Sequence, residues 1–459
     1  MVVPEPERGR PVSHSPYQTG YQMGSTALCT DRYELTMLDA ALQSGRADSP
    51  AAFEVFTRRL PDRRPWGVFA GLGRLLEALE AFRFGPEVLS WLEANSVVSP
   101  PALEWLSRYR FAGRLDAYRE GEFYTGGSPV VTVEGGFAEA VLLETLVLSV
   151  LNFDSAVATA ASLITAAAGD RPVIEMGSRR VDPGAAIAAA RAAYVAGFAS
   201  TSNLEAGRRY GIPTAGTASH AFVLAYPGEK EAFSAQVSAF GPGTTLLVDT
   251  YDTARGIENA VEVAGAELGA VRIDSGDLGR EAARARALLD ASGATSTKLV
   301  VTGDLDAHSI AALGAAPVDM YGVGANVVTG MGVPSAGFVY KLVAVGDPGQ
   351  PPGTPLRPVA KQSPGKRSFG GRKWAWRALL EVPPARLEPG APAVSGPVWA
   401  DIVTTSPDPP EPEGRPLQVK VMDQGEVVAR PTLDEARAWH AKVRTEIGPG
   451  EALLLDRRS

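Results

Sequence analysis

At 459 residues the chain is long enough for two or three domains, each with a real core, and its apolar fraction of 45% is that of an ordinary soluble protein. With 44 basic and 52 acidic residues the net charge is −8, which argues against general affinity for nucleic acid. The lone Cys29 excludes an intrachain disulfide and a cysteine metal cluster.

Residues 1–24 read as a disordered arm, polar and Pro-containing, without the apolar core of a signal peptide. From Thr30 to about Val133, helical stretches at Gly71–Phe82 and Glu87–Asn95 mix with short β runs such as Phe53–Phe56. A long helix is expected from Glu139 through Leu151 toward Ala168, with apolar positions at helical spacing. Its longest near-apolar run, Ala156–Ala168, falls short of the roughly 18–20 residues that span a bilayer. A reduced, cytoplasmic protein with no membrane or nucleic-acid partner is therefore expected.

The middle of the chain is more regular. β-rich runs at Val173–Glu175, Ile212–Thr217, Thr245–Asp249, Ala270–Asp274, Lys298–Thr302 and Val318–Tyr321 alternate with helical stretches at Pro183–Phe198, Thr253–Ala264, Leu278–Ala291 and Asp306–Leu313. This alternation predicts a parallel sheet with crossover helices, as a closed or nearly closed barrel or as a doubly wound sheet. After about Val345 the pattern breaks. Asp347–Pro358 and Ser406–Pro416, dense in Pro and Gly, read as surface loops. Trp374–Leu380 reads as a strand, Leu417–Ala429 as a hairpin and Leu433–Ile447 as a closing helix.

Parallel barrels keep their chemistry where strands finish. Those ends carry Glu175 to Arg180, Thr217 to His220, Asp249 to Asp252, Arg272 to Asp277, Thr302 to Asp304 and Gly322 to Asn326. Carboxylates, arginines, hydroxyls and glycines in this density suit a phosphorylated sugar with a divalent cation. The small residues Gly322, Gly324 and Ala325 let backbone N–H groups approach a phosphate, and Thr302 with Gly303 forms a second wall. Asp274 is placed for ribose hydroxyls or a magnesium shell, while Asp277 or Ser275 also fits a helix cap. Arg179 and Arg272 are expected to converge from neighbouring barrel positions on a carboxylate, which the planar guanidinium fork matches. His220 is one of only four histidines, and His308, within a helical stretch, reads as a capping or packing residue.

With these residues in place, the sequence closely resembles the nicotinate phosphoribosyltransferases. The resemblance runs through Thr30-Asp31-Arg32-Tyr33-Glu34-Leu35, Gly121-Glu122, Glu175-Met176-Gly177-Ser178-Arg179-Arg180 and Thr201-Ser202-Asn203. It continues through Gly216-Thr217-Ala218-Ser219-His220, Val248-Asp249-Thr250-Tyr251-Asp252-Thr253, Arg272-Ile273-Asp274-Ser275-Gly276-Asp277 and Gly371-Arg372-Lys373, covering roughly residues 28–445 in the family's order.

The resemblance implies an irregular α/β barrel, residues 141–345, and a second α/β domain built from residues 25–140 and 346–459. It implies transfer of phosphoribose from phosphoribosyl pyrophosphate to nicotinate, coupled to ATP hydrolysis, with Mg2+ and no assigned metal ligands. His220 falls at the family's phosphorylated histidine, and Asp274 is its catalytic companion. Tyr33, Met176, Arg179, Thr217 and Arg272 fall around the pyridine carboxylate. Asp249, Asp274, Ser275, Thr302, Gly303, Gly322, Gly324, Ala325 and Asn326 fall around phosphoribosyl pyrophosphate. Family dimers share sites between subunits, so Tyr33 is expected to serve a partner's site in a homodimer. Two departures stand out: Met176 where relatives often carry a stacking aromatic, and Ala325 where a hydroxyl residue is common. A sister activity on nicotinamide or quinolinate, and a silent ligand-binding member, remain the alternatives.

Overall fold

The computed structural model describes residues 25–61, 64–351, 353–363, 368–381, 397–411, 414–446 and 453–456. The expected arm, residues 1–24, and Ile447 lie outside them. Two compact units are present, one formed by residues 160–332 and the other by the chain on both sides of it.

In residues 160–332, six strands form a parallel sheet in the order Ser200–Thr201, Val173–Glu175, Met320–Val323, Lys298–Val301, Ala270–Ile273, Thr245–Leu247. The expected strand Ile212–Thr217 does not form. That run makes an isolated parallel bridge from Thr214 to Thr201. Pro213 has no N–H to give a ladder, and Gly216 has no side chain to pack. Residues from both edges, Leu247 and Gly216, line one cavity, so the sheet curls. Among the described residues no ladder joins those edges, and the barrel is open.

The crossover helices start where acidic caps allow. Asp182 accepts from Gly184 N (2.8 Å) ahead of Pro183–Val195, whose Pro183 has no N–H to leave unpaired. Asp252 caps Thr253–Ala264, and Asp277 caps Leu278–Ala291 by accepting from Arg280 N, the helix cap that its position also fits. Asp306 and Ser309 form a capping box on Ala307–Ala312. His308 on that helix is exposed, beside the capping carboxylate of Asp306.

The flanking unit is a second α/β body drawn from both ends of the chain. Its antiparallel sheet runs Arg357–Pro358, Phe338–Val345, Pro50–Thr57, Val131–Gly136, Arg114–Tyr118, Gln418–Asp423, Glu426–Val427. A smaller sheet holds Arg415–Pro416, Lys373–Glu381, Pro397–Thr405 and Leu453–Asp456. The edge strands Arg357–Pro358 and Arg415–Pro416 lie in stretches expected to be loops. The helical stretch Phe137–Ala168, made of Phe137–Val141 and Glu144–Ala168 with a turn between them, is long and apolar enough to cross a bilayer by length and composition, unlike the shorter run expected, but its apolar window is 67% buried. Glu144–Ala168 is a core helix, in which Asp154 interrupts the apolar sequence without interrupting the helix.

The motif Gly121-Glu122 anchors the C-terminal helix Leu433–Val443. Gly121 has φ +92°, and a Cβ there would meet Ala436 O at 2.6 Å. The buried His440 ring donates from Nδ1 to Gly121 O (2.8 Å), and burial pushes its pKa down to about 4. Because the folded pKa lies below the unfolded value near 6.5, this contribution is complete above about pH 6.5 and is lost as pH falls toward 4. Between pH 7.5 and 5 it amounts to about 2 kcal/mol. Urea unfolding of the wild type and His440→Phe at both pH values should show the wild type losing that much more than the variant.

Candidate functional site

All six strands of the parallel sheet end on the same side, and their following loops enclose a cavity of about 500 Å3. Of the residues singled out from sequence, Met176, Arg179, Thr217, His220, Arg272, Asp274, Thr302, Gly303, Gly322, Gly324 and Ala325 line it. Arg180, Ser202 and Asp304 line it as well. Asp249, Ser275 and Asn326 do not. Asp249 and Asn326 instead bond to lining residues, Asp249 to Asp274 N and Asn326 to Asp304 O.

Arg272 is the hub. Its Nε donates to Thr302 Oγ1 (2.8 Å), its Nη1 to Thr217 Oγ1 (2.8 Å) and Ala218 O (3.4 Å), and its Nη2 pairs with Asp274 Oδ1 at 3.1 Å. The Thr302 hydroxyl in turn donates a hydrogen bond to Asp274. One guanidinium thus ties together three loops, leaving one of its five N–H donors uncommitted. Burial acts to raise the Asp274 carboxyl, but the Thr302 hydroxyl, the Arg272 guanidinium and His220 outweigh it and hold Asp274 below the usual carboxylate range.

Arg179 does not come from a neighbouring position. Two strands, Met320–Val323 and Lys298–Val301, separate its strand from that of Arg272. It sits on the 3-10 turn Ser178–Arg180, exposed at the cavity rim, and has no ion-pair partner among the described residues. It is Arg179, rather than the already paired Arg272, that offers an unspent positive charge.

His220 opens the short helix His220–Leu224 rather than lying at a strand end. Its Nδ1 meets Thr250 Oγ1 at 3.2 Å, a contact made by a motif residue that the sequence reading gave no role. Its Nε2 lies 4.0 Å from Asp249 Oδ1 and 3.9 Å from Asp274 Oδ2. Asp249 Oδ2 accepts from Asp274 N (2.8 Å) and Ser275 Oγ (2.7 Å), while its buried Oδ1 has no hydrogen-bond partner. The histidine is 40% exposed and Asp249 only 2%, so one carboxylate is fixed and the imidazole stays accessible.

The glycines divide by what they permit. Gly322 is a floor tile, where a Cβ would meet Thr302 Cγ2 at 2.5 Å and Met176 Sδ at 2.8 Å. Gly303 has φ +130°, in the region that only glycine adopts readily. Asn326 spends its Nδ2 on Asp304 O (3.1 Å) and Leu305 O (3.0 Å), stapling two loops together. Gly322→Ala should push Met176 and Thr302 out of place at a cost of about 1–3 kcal/mol, as overpacking does. Thermal unfolding should register that loss.

Tyr33 lies in the other unit, exposed on the helix Arg32–Gln43. The motif around it is anchored by buried Glu34, which accepts from Thr145 N at 2.9 Å and from the hydroxyls of Thr145 and Thr30.

Residues 28–152 match the family described as nicotinate phosphoribosyltransferase (NAPRTase) N-terminal domain, and residues 157–331 match quinolinate phosphoribosyl transferase, C-terminal domain. The sequence is 50% identical over 439 residues to nicotinate phosphoribosyltransferase pncB1 of Mycobacterium tuberculosis, covering 93% of this chain and 92% of that one. Identity to nicotinate phosphoribosyltransferase of Bacillus subtilis is 38% over 370 residues, 78% of this chain and 74% of that one. The crystal structure of human nicotinic acid phosphoribosyltransferase superposes with a TM-score of 0.76 at 27% identity, covering 94% of this chain and 97% of that one. The chain belongs to the nicotinate phosphoribosyltransferase family.

Proposed function

We propose that this chain joins nicotinate to 5-phosphoribosyl 1-pyrophosphate, forming nicotinate mononucleotide and pyrophosphate, and that ATP hydrolysis drives the reaction through His220. The cavity's unpaired Arg179 carries the choice of pyridine. Arg179 stands exposed at the rim, so a carboxylate there gains a charge-assisted hydrogen bond worth on the order of 1.5–3 kcal/mol that uncharged nicotinamide cannot make. Met176 supplies a soft, polarizable wall for the ring face or edge.

In the reaction the pyridine nitrogen forms a bond to the anomeric carbon as the carbon–oxygen bond to pyrophosphate breaks. The transition state is cationic and oxocarbenium-like, so placing the two substrates in line contributes much of the rate. Asp274, kept ionised by its partners, faces the developing positive charge. Asp249 and Asp274 would hold a magnesium ion that enters with the phosphates, the buried unpartnered Oδ1 of Asp249 being a suitable oxygen. Such an ion neutralises charge on the leaving group.

Thr250 engages Nδ1 of His220, leaving Nε2 to take the terminal phosphoryl group of ATP. Two nearby carboxylates then repel the added charge, which keeps the phosphohistidine labile. We further propose a cytoplasmic homodimer in which exposed Tyr33 serves the partner's cavity.

The deciding experiment supplies phosphoribosyl pyrophosphate, Mg2+ and ATP with nicotinate, nicotinamide or quinolinate in turn and follows mononucleotide formation. Nicotinate should be used at least 10-fold better than nicotinamide, in keeping with one hydrogen bond to a charged group. Equal turnover of nicotinamide or quinolinate would sink the reading. His220→Ala should retain slow, ATP-independent turnover and lose its stimulation by ATP; undiminished stimulation would remove the phosphoryl-carrier role.

A further inference from the structure

Behind the cavity wall lies a buried acid with no place in the chemistry above. Glu175 ends the strand Val173–Glu175 and is 1% exposed. One carboxylate oxygen accepts from Gly177 N, and the other accepts from the Thr201 hydroxyl. Thr201 Oγ1 in turn accepts from Asn203 N (2.9 Å). The Asn203 side chain reaches back, giving Nδ2 to Ser178 Oγ at 3.0 Å while its Oδ1 caps the next helix through Ala206 N (2.8 Å). The result is a polar clamp between two adjacent strand-end loops, fastened at Gly177 and again at Ser178.

The turn that this clamp grips has little room elsewhere. A Cβ on Gly177 would meet Val328 Cγ1 at 2.2 Å and Gly324 O at 2.9 Å. Met176 N is bonded to Val323 O at 2.8 Å. The residues immediately beyond the grip, Arg179 and Arg180, line the cavity with no ion-pair partners of their own among the described residues. Their backbone position therefore comes from the turn and not from their side chains.

We infer that Glu175, acting through Thr201 and Asn203, is a positioning residue that sets where Met176 and Arg179 stand and so determines recognition of the pyridine. A carboxylate suits this place because both of its oxygens face donors. An amide can still accept from Gly177 N, but its NH2 then makes Thr201 Oγ1 an acceptor and leaves that buried O–H without the oxygen it donates to. The phosphoribosyl side of the cavity has fastenings of its own in Arg272 and Asn326.

This inference rests on the proposed pyridine specificity, and the test separates the two. Wild-type protein that fails to use nicotinate overturns the functional reading before any variant is compared. With nicotinate turnover established, Glu175→Gln should raise the nicotinate KM about 10-fold, the effect of losing one hydrogen bond to a charged group. Its kcat should stay within about threefold and its KM for phosphoribosyl pyrophosphate within about twofold, since those contacts lie elsewhere. The preference for nicotinate over nicotinamide should narrow in parallel. Asn203→Ala, which removes the more accessible end of the clamp, should show the same split if Glu175→Gln folds poorly. Parallel rises in both KM values, or a fall in kcat with nicotinate KM unchanged, would overturn the positioning role.

Discussion

Arg272→Ala should lower kcat/KM by on the order of 1,000-fold, the rate equivalent of about 4 kcal/mol. The substitution does more than delete a positive charge. It removes the donors to Thr302, Thr217 and Ala218 O and leaves Asp274 without its cation. On the proposed reaction the loss should fall on both substrates, because the hub ties together loops that carry Thr217, Asp274 and Thr302. Steady-state kinetics with each substrate varied separately checks this. Arg272→Lys should recover little, since a single ammonium cannot reproduce a three-loop fork. A variant within tenfold of wild type would show that the loops hold their places without the hub.

Arg377→Leu should destabilise the flanking unit by about 3–5 kcal/mol, the range for removing one partner from a buried ionic cluster. Arg377 is 1% exposed and lies between Glu122 (2.6 Å) and Asp401 (2.8 Å), both buried. Burial works to lower its pKa, and the two carboxylates more than reverse that, so the guanidinium stays charged. Without it Asp401, whose carboxyl burial already pushes up, loses its main stabilising charge. Glu122 keeps Arg415 at 2.7 Å, so the damage centres on Asp401. Denaturant unfolding measures the loss, and Arg377→Leu combined with Asp401→Leu should recover a substantial part of it. Failure of the double variant to recover any stability would locate the loss in packing instead of charge.

The parallel sheet was legible because its signals are local. Thr253–Ala264 and Leu278–Ala291 begin at acidic caps and end at a glycine or a serine, and the observed helices have the bounds read from sequence. The strand ends were legible to within one or two residues, which sufficed to find Arg272, Asp274 and Thr302. Ile212–Thr217 shows the limit. Its composition reads as β, but Pro213 and Gly216 deny it a ladder.

The antiparallel sheet was much less legible. Phe338–Val345 pairs with Pro50–Thr57, a partner almost 300 positions away, and nothing near either strand records that pairing. The site shows the same division. Which residues matter was readable from type and order, but the roles depended on partners. Arg179 and Arg272 look alike in sequence, and only geometry shows one charge spent and the other free. Thr250 and Glu175 carry no separate signal. A hydroxyl or a carboxylate in a motif does not reveal which neighbour it binds.

The chain path has a consequence for how the protein is made. The unit containing residues 160–332 is complete once its own residues have left the ribosome, whereas the sheet begun at Pro50–Thr57 still lacks Phe338–Val345 and Gln418–Asp423. Glu122 waits still longer for Arg377 and Arg415, and Gly121 for His440. A nascent chain that stops early thus exposes an unfinished sheet edge and unpaired acids, features by which quality-control proteases and chaperones sort incomplete chains from finished ones.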